Sequence, residues 1–454
     1  PIDRIGRPRR FGLYFGHLCP VADFGCPQRN RRAPSDRRGD AENPEIYSAY
    51  DSRLRFGIYM SMALQKPRSL NILQITPFWR EERLSGVKSV MTDLIRELDQ
   101  CHRVHIMETE WSAFFCQTIL AESRPIDLLR FPIPHLTLSK PRTLISTPLN
   151  VIVFIQQFLR YCKIKNIDIV HAHCAGPQWF SLALARKFGG PPFIITLHGS
   201  DVRTFVKQNS FKQSLMRRAL QCASHVVAVS RSLSEEASKN ISPIKPPEVV
   251  YNCYPHMEEK SREISIPAIA QNGILKYFVL QVGDLTTIKA QDITLQAWKK
   301  VIEKEPNAWL LFAGEGAELE NLRALAVNLG VANRVHFLGW VRREVVLKLM
   351  EMARVVVAPS RAEGMGIIIL ESALKRASIV CSDIGPFSEI IADKRDGLLF
   401  PVDNADAMAE AILYMIRNPE SAYDMARRLH EKVIEEFSPQ EMARKYENIY
   451  YAYI

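Results

Sequence analysis

The pattern that most constrains this chain is a double series of short apolar runs, each followed by an amphipathic stretch. In the first series, 70–75, 103–107, 168–171, 192–197 and 225–229 read as strands, separated by helical patterns near 87–99, 148–164, 176–187, 210–221 and 231–239. A polar stretch at 256–274 interrupts the pattern. A second series then follows, with strands expected at 277–282, 309–313, 335–338, 355–358, 379–382 and 398–400. Runs that are apolar throughout, rather than alternating, mark strands buried on both faces of a parallel sheet. Strand and helix in regular alternation imply βαβ units. The expected fold class is therefore α/β, with two Rossmann-like doubly wound domains facing a cleft. Ser438-Pro439-Gln440-Glu441 supplies a capping Ser, a Pro at the first helical position and a Glu at the third, which starts a C-terminal helix through Tyr451.

The expected domains are an atypical extension at 1–61, an N-terminal domain at 62–255 and a C-terminal domain at 256–454 that includes the terminal helix. Residues 1–61 hold 11 Arg, no Lys and 7 acids, and show no sustained period of 2 or 3.6. They read as a poorly ordered extension without a function of its own, with Met60 and Met62 as candidate starts of the main body. At 454 residues the chain is too long for one ordinary core. The most apolar segment, 144–162, carries Asn150, Gln156, Gln157 and Arg160 and reads as a helix rather than a membrane span. Nine cysteines without a CxxC pair argue against a zinc site or a disulfide framework and favour a reducing compartment.

Charge is unevenly placed. Residues 70–255 hold 22 basic and 14 acidic side chains, whereas 256–454 hold 24 and 28. A basic first half can face an anionic partner. Within it, Arg203, Lys207, Lys212, Arg217 and Arg218 flank Phe205, Phe211 and Leu215, a composition able to lie on an anionic membrane surface. No nucleic-acid-binding module or interleaving of aromatic and basic residues is present, so nucleic acid is not an expected partner.

The residues that carry chemistry cluster in the second half. Glu363-Gly364-Met365-Gly366-Ile367-Ile368-Ile369-Leu370-Glu371 follows an expected strand and enters an expected helix. On one continuous helix the two carboxylates would be separated by ~800° of rotation and ~12 Å of rise. Gly364 and Gly366 would let a diphosphate approach the helix N-terminus, where unpaired N–H groups favour anions. Val282-Gly283-Asp284-Leu285 with Lys289 places a glycine turn and a point charge at the end of a strand, a phosphate grip. Ile384-Gly385-Pro386-Phe387-Ser388-Glu389 is a second glycine turn before a helix. Ala313-Gly314-Glu315-Gly316 is not a dinucleotide fingerprint, and there is no GxxxxGK[ST], HExxH or DxD.

In their order, these blocks resemble the retaining GT-B glycosyltransferases of family 4. Phe337-Leu338-Gly339 and Pro359-Ser360 join them in the second half. The first half agrees through Ile75-Thr76-Pro77, Ser85-Gly86-Val87, Asp168-Ile169-Val170-His171-Ala172-His173, Leu197-His198-Gly199-Ser200-Asp201 and Val249 to Asn252. The resemblance covers about 70–450. It implies a retaining, metal-independent transfer of a hexosyl-type sugar from a nucleotide-diphosphate sugar, which is a substrate, with no cofactor and no metal ion.

By the same resemblance, Glu363 would hold hydroxyls of the transferred sugar and Glu371 the ribose. Lys289 would neutralise the departing diphosphate, and Gly86, Gly283, Gly366 and Gly385 would bring backbone near the donor. His173, with His171 as the less favoured choice, would sit across the cleft near the reacting carbon and the acceptor. The implied acceptor is a saccharide or a lipid-linked saccharide, as in cell-surface polysaccharide or glycolipid synthesis, with the protein cytoplasmic at the inner face of the membrane. The sequence departs from the family at Asp284, where Arg is usual, at Arg376 and Ser378 in place of Gly and Pro, at Pro386, and at Cys253. Asp284 keeps a second reading open, a non-catalytic protein that binds a sugar nucleotide or a partner without turnover, or serves as a scaffold.

Overall fold

The computed structural model describes residues 68–76, 86–109, 117–121, 124–129, 131–132, 141–256 and 277–454, with backbone only at 120, 121, 124 and 141–148. The extension at 1–61 and most of the polar stretch at 256–274 lie outside the described residues. Eight described strands form the first sheet: β1 (Asn71–Thr76), β2 (Arg103–Thr109), β3 (Gln117–Ala121), β4 (Arg124–Leu129), β5 (Ile169–His173), β6 (Phe193–Leu197), β7 (His225–Ala228) and β8 (Glu248–Val249). Their order is β3-β4-β2-β1-β5-β6-β7-β8, parallel throughout except for the β3–β4 pair. Six more form the second: β9 (Phe278–Val282), β10 (Trp309–Ala313), β11 (Val335–Phe337), β12 (Val355–Ala358), β13 (Ile379–Ser382) and β14 (Leu398–Phe400). Their order is β11-β10-β9-β12-β13-β14, all parallel.

The two faces of each sheet bury alternate residues of the same strands, which is why the strands are apolar throughout. In the first sheet, Leu73, Ile75, Val170, Ala172, Ile195 and Leu197 join one core. Their neighbours Leu70, Ile72, Ile169 and Ile194 join the core on the other face. The second sheet divides likewise, with Val279, Leu310, Phe312 and Val357 on one side and Leu280, Leu311 and Val356 on the other. Both domains are thus doubly wound, as the sequence pattern predicts. The strand β4 and the short edge strands β3 and β8 are absent from that prediction.

The terminal helix Pro439–Tyr451 begins as its sequence indicates, with Ser438 Oγ accepting from the Glu441 N–H at 3.1 Å. Its position corrects the grouping of this helix with the second domain. Met442, Ala443, Tyr446, Ile449 and Tyr450 pack with Leu70, Ile72, Ile169 and Ile194, beside Val90, Leu94 and Leu98 of the helix Gly86–Leu98. The apolar stripe fits the open face of the first sheet, and burial of that face decides where it docks. No helix among the described residues is long and apolar enough to cross a membrane; the segment 144–162 lies in the helix Pro141–Lys165.

In each sheet the first strand has neighbours on both sides that lead the chain in opposite directions, a switch point that opens a crevice at the strand C-termini. In the second sheet this lies between β9 and β10 on one side and β12 on the other, so the turn after Val282 and the loop after Ala358 meet there. The helix after that loop, Ile367–Leu374, ends with two bonds of a Schellman motif, Arg376 N–H to Ala373 C=O and Ala377 N–H to Ser372 C=O, both 3.0 Å. The motif forces Arg376 to φ 52°, and its side chain is exposed. Relief of the left-handed strain outweighs the extra freedom glycine gives the unfolded chain. Arg376→Gly should therefore stabilise the protein by roughly 0.5 to 1 kcal/mol, measured by denaturant unfolding; an unchanged or lower stability would contradict this account.

Candidate active site

Lys289 ends a single 3-10 turn, Thr287–Lys289, that follows β9. The turn is fixed from below by Gln281, whose Nε2 donates to the Lys289 carbonyl at 2.8 Å while its Oε1 accepts from Thr294 Oγ1 at 2.6 Å. A buried amide satisfied on both sides makes a rigid base. Above it, Lys289 Nζ stands 2.5 Å from Glu363 Oε1, which also accepts from Ser360 Oγ at 2.8 Å. Gly283 lies alongside at φ 141°, where a Cβ would come 3.5 Å from Lys289 Cε. Asp284 is exposed, and its carbonyl accepts from Gln291 Nε2 at 3.0 Å. A carboxylate in water is screened, so its repulsion of an anion on Lys289 is weak.

Glu363 does not share a helix with Glu371, contrary to the continuous helix drawn from the sequence. The helix starts only at Ile367, because its cap, Gly366, takes φ 96° and turns the chain. Glu363 therefore belongs to the loop beneath the cleft and Glu371 to the second turn of the helix. Glu371 Oε1 accepts from Arg343 Nη2 at 2.8 Å. The Arg343 guanidinium also donates through Nη1 to Ser89 Oγ of the helix Gly86–Leu98, so it ties the two lobes together. Burial pushes the Glu371 carboxyl above its usual range, and Arg343 and, more weakly, Lys289 pull it back. Arg343 is the first residue of the helix Arg343–Met352, the end of a helix where a cation is least favoured. The buried carboxylate offsets that local cost.

The lobes meet at the backbone. A Cβ on Gly364 would lie 2.1 Å from the His198 carbonyl oxygen, so no other residue fits at this contact. Asp201 shapes the facing loop: its carboxylate accepts from the N–H groups of Ala175, His198, Gly199 and Val202 at 2.8 to 3.2 Å. Arg203 Nη2 donates to the Glu363 carbonyl at 2.6 Å, Ser230 Oγ to the Gly364 carbonyl at 2.7 Å, and the Asn252 N–H to Met365 Sδ at 2.9 Å. Beneath these bonds one apolar cluster runs from Leu197, Val202 and Leu233 to Met365, Ile369 and Phe387.

Gly86 starts the helix Gly86–Leu98, and a Cβ there would come 2.8 Å from Ile367 Cδ1 at the start of the opposing helix. Two helix N-termini thus converge on one spot, with their unpaired N–H groups and positive dipole ends. Gly366 is buried against Phe387, 2.4 Å from where a Cβ would stand. Gly385 abuts Ser232, and Glu389 accepts from the Arg231 N–H, the Ser232 N–H and Ser232 Oγ at 2.5 to 2.8 Å. The second glycine turn is therefore not an open anion site: its carboxylate caps the first-lobe helix Arg231–Asn240.

His173 is 2 % exposed, with Nε2 2.9 Å from Gln74 Oε1 and Nδ1 3.1 Å from His198 Nε2. His171 lies deeper, between Tyr450 and Thr196. Burial holds both imidazoles well below the usual histidine range, helped by neighbouring histidines, and takes His198 down to about 4 against an upward pull from Asp201. All three are neutral at pH 7. His198, half-buried in the loop that touches Gly364, is the histidine at the lobe junction, with His173 one bond behind it. The sequence showed His198 and Ser360 only within blocks and Arg203 only as part of a basic stretch; Arg343 carried no signal. Two other members of that stretch also have structural work, since Arg217 donates to the carbonyls of Ile241 and Ser242 and Phe205 is core.

Arg343→Met should leave Glu371 buried without its main offset, raising its pKa further. The unfolded chain ionises at the ordinary value, so a raised folded value costs stability as pH rises. Relative to the parent, the variant should lose stability as pH climbs through the parent's folded value and level off above its own. Denaturant unfolding at pH 5 and pH 8 checks this; a pH-independent difference would show that Arg343 does not hold the Glu371 charge.

Residues 84–256 match the family described as Glycosyltransferase Family 4, and residues 268–432 match Glycosyl transferases group 1. The chain is 27% identical over 291 residues to the N-acetyl-alpha-D-glucosaminyl L-malate synthase of Bacillus anthracis, covering 63% of this chain and 75% of that protein. It is 23% identical over 295 residues to the GDP-mannose:cellobiosyl-diphosphopolyprenol alpha-mannosyltransferase of Xanthomonas campestris, covering 64% and 75%. Among solved structures, Anabaena Alr3699/HepE in complex with UDP aligns with a TM-score of 0.63 at 17% identity, over 85% of this chain and all of that one (100%). That likeness shows the fold.

Proposed function

This chain belongs to the group 1/family 4 glycosyltransferases of GT-B fold, and from that premise we propose that it moves a sugar from a nucleotide-diphosphate sugar to a saccharide or lipid-linked acceptor, retaining the anomeric configuration and using no metal ion. The observation that carries the reading is the pairing of each site carboxylate with its own cation on the second-lobe side of the cleft, where two helix N-termini meet: Lys289 with Glu363 and Arg343 with Glu371. A site electrically balanced this way is prepared for a ligand that brings both hydroxyls and negative charge. Sugar and ribose hydroxyls can take over the carboxylates, which frees the cations and the N–H groups of the helix ends for a diphosphate. As the glycosidic bond breaks, charge develops on the departing diphosphate beside Lys289. Fixed cations there stabilise the transition state more than the ground state, the work otherwise done by a metal ion.

The acceptor side is the first lobe. The Xanthomonas relative is named for a cellobiosyl-diphosphopolyprenol acceptor. Val206 and Phe211 are 54 % and 42 % exposed beside Lys207 and Lys212, and they carry the membrane-facing reading now that Arg203, Arg217, Phe205 and Leu215 have other roles. A lipid-linked acceptor at an anionic membrane surface, in cell-surface polysaccharide or glycolipid synthesis, fits these residues.

A thermal-shift screen of the full chain against UDP-, GDP-, ADP- and dTDP-sugars, with and without Mg²⁺, tests the donor. A ligand at ~100 times its Kd should add ~2.7 kcal/mol. The expected result is a metal-independent hit that Lys289→Ala and Glu371→Ala weaken while the apo proteins remain folded. Turnover should fall at least about a hundredfold in Lys289→Ala, and NMR of the product should show the donor's anomeric configuration. No hit at millimolar concentration would leave the non-catalytic reading; full activity in both variants would sink the site assignment.

A further inference from the structure

The terminal helix does more than cover the first sheet. Its two buried tyrosines enter a chain of side chains that ends at the cleft. Tyr450 Oη lies 2.8 Å from His171 Nδ1 and accepts from Gln74 Nε2 at 3.2 Å. Gln74 Oε1 is 2.9 Å from His173 Nε2, and His173 Nδ1 is 3.1 Å from His198 Nε2. On the far branch, His171 Nε2 is 2.8 Å from Thr196 Oγ1, itself 3.0 Å from Tyr446 Oη. Gln74, His171, His173, Thr196, Tyr446 and Tyr450 are all buried, between 0 and 3 % exposed. The rings of His171 and His173 stand 4.1 Å apart. Burial disfavours the charged form of each ring, and neighbouring histidines add to it, so both carry one hydrogen each.

With the Gln74 amide oriented as the structure places it, counting hydrogens then assigns the other bonds. Gln74 gives its N–H to Tyr450, so its carbonyl faces His173 and must receive a hydrogen from His173 Nε2. His173 has no second hydrogen, so its Nδ1 is a bare acceptor. The bond to His198 therefore requires the hydrogen to sit on His198 Nε2, which leaves His198 Nδ1 with a lone pair. Tyr450, having accepted from Gln74, gives its own hydrogen to His171 Nδ1. The Nε2–H of His171 goes to Thr196, and the Thr196 hydroxyl completes the chain at Tyr446.

We propose that Tyr450 is a positioning residue: through Gln74 and His173, the terminal helix fixes His198 with its hydrogen on Nε2 and a lone pair on Nδ1 at the lobe junction. A histidine in that form can accept a hydrogen bond from a hydroxyl of the sugar or the acceptor, but cannot donate one from Nδ1. The assignment of that hydroxyl rests on the proposed transfer; the tautomer does not. The terminal helix follows the second lobe in sequence and docks on the first, so the relay also ties the state of His198 to correct docking of that helix. The Tyr450 hydroxyl makes two of the bonds in the chain. Without it, Gln74 loses the acceptor that keeps its amide from turning over, and a turned amide would move the hydrogen of His173 to Nδ1 and that of His198 to Nδ1 as well.

The test is long-range ¹H–¹⁵N correlation on the full chain with ¹⁵N-labelled histidine, the signals assigned through His198→Gln and His173→Asn. In the unaltered protein His171, His173 and His198 should all be neutral with the hydrogen on Nε2. In Tyr450→Phe, His173 and His198 should become mixtures of the two tautomers. In turnover assays with the nucleotide-sugar found by thermal shift, kcat should fall at least about tenfold with KM for the donor within about twofold. Gln74→Met, of similar volume and without polar atoms, gives the same readout if the tyrosine variant does not fold. A hydrogen on His198 Nδ1 in the unaltered protein would overturn the inference, as would tautomers and kcat unmoved in a folded Tyr450→Phe. Should no nucleotide-sugar bind at all, the donor-site reading fails and the spectra still decide the relay.

Discussion

The site depends on one close approach of backbone to backbone, where the loop after β6 meets the loop after β12. At Gly364 the His198 carbonyl leaves no room for even a methyl group, so backbone meets backbone directly there. The contact persists because both loops are held independently. Asp201 gathers four backbone N–H groups on one side; Arg203 and Ser230 cross over to the carbonyls of Glu363 and Gly364 on the other. Hydrogen bonds to a charged partner contribute about 1.5 to 3 kcal/mol each, and they fix the register of two lobes that also share an apolar cluster from Leu197, Val202 and Leu233 to Met365, Ile369 and Phe387. The polar contacts above that cluster are the ones a ligand can compete with.

Charge follows from that geometry. Glu363 and Glu371 are separated by a glycine that turns the chain, so one carboxylate faces the β9 turn and the other the start of the helix Arg343–Met352. Each faces a cation, and each cation sits where local rules disfavour it: Lys289 just before Ala290, a non-glycine residue at φ 53°, and Arg343 at a helix N-terminus. Real proteins break such rules at functional sites and compensate elsewhere. Here the compensation is the opposite charge beside it within the second lobe, and Arg343 also reaches the first lobe through Ser89.

Much of this was legible in the sequence. Strands buried on both faces leave an unbroken apolar record, and β9, β10, β12, β13 and β14 fall where that record places them, to within a residue. Lys289, Glu363 and Glu371 drew attention through the glycine turns and strand ends beside them, and the structure sets Lys289 against Glu363 and Arg343 against Glu371. What could not be read was set by tertiary contacts. The left-handed turn at Gly366 removes Glu363 from the helix, and nothing in a Gly-x-Gly triplet reports φ. Edge strands such as β3 and β8 are short and half-exposed, so they lack the apolar signature. His173 drew attention as the second histidine of its block, yet burial depth, which sequence does not record, places His198 at the junction.

The terminal helix shows the same limit and why it matters. Its cap and apolar stripe are written in Ser438, Pro439 and the spacing of Met442, Tyr446, Ile449 and Tyr450, but a stripe states only that a face will be covered, not by which sheet. Sequence order assigns the helix to the second lobe; the uncovered face of the first sheet takes it. That choice carries a polar consequence, because two of the covering residues are tyrosines, and a buried hydroxyl must find a partner. The partners available beneath the first sheet are Gln74, His171 and Thr196, and the bond that satisfies Tyr450 reaches His198 in three steps. A helix recruited for its apolar face thereby acquires a hold on the hydrogen of a cleft histidine, with no charge moved and no backbone strained.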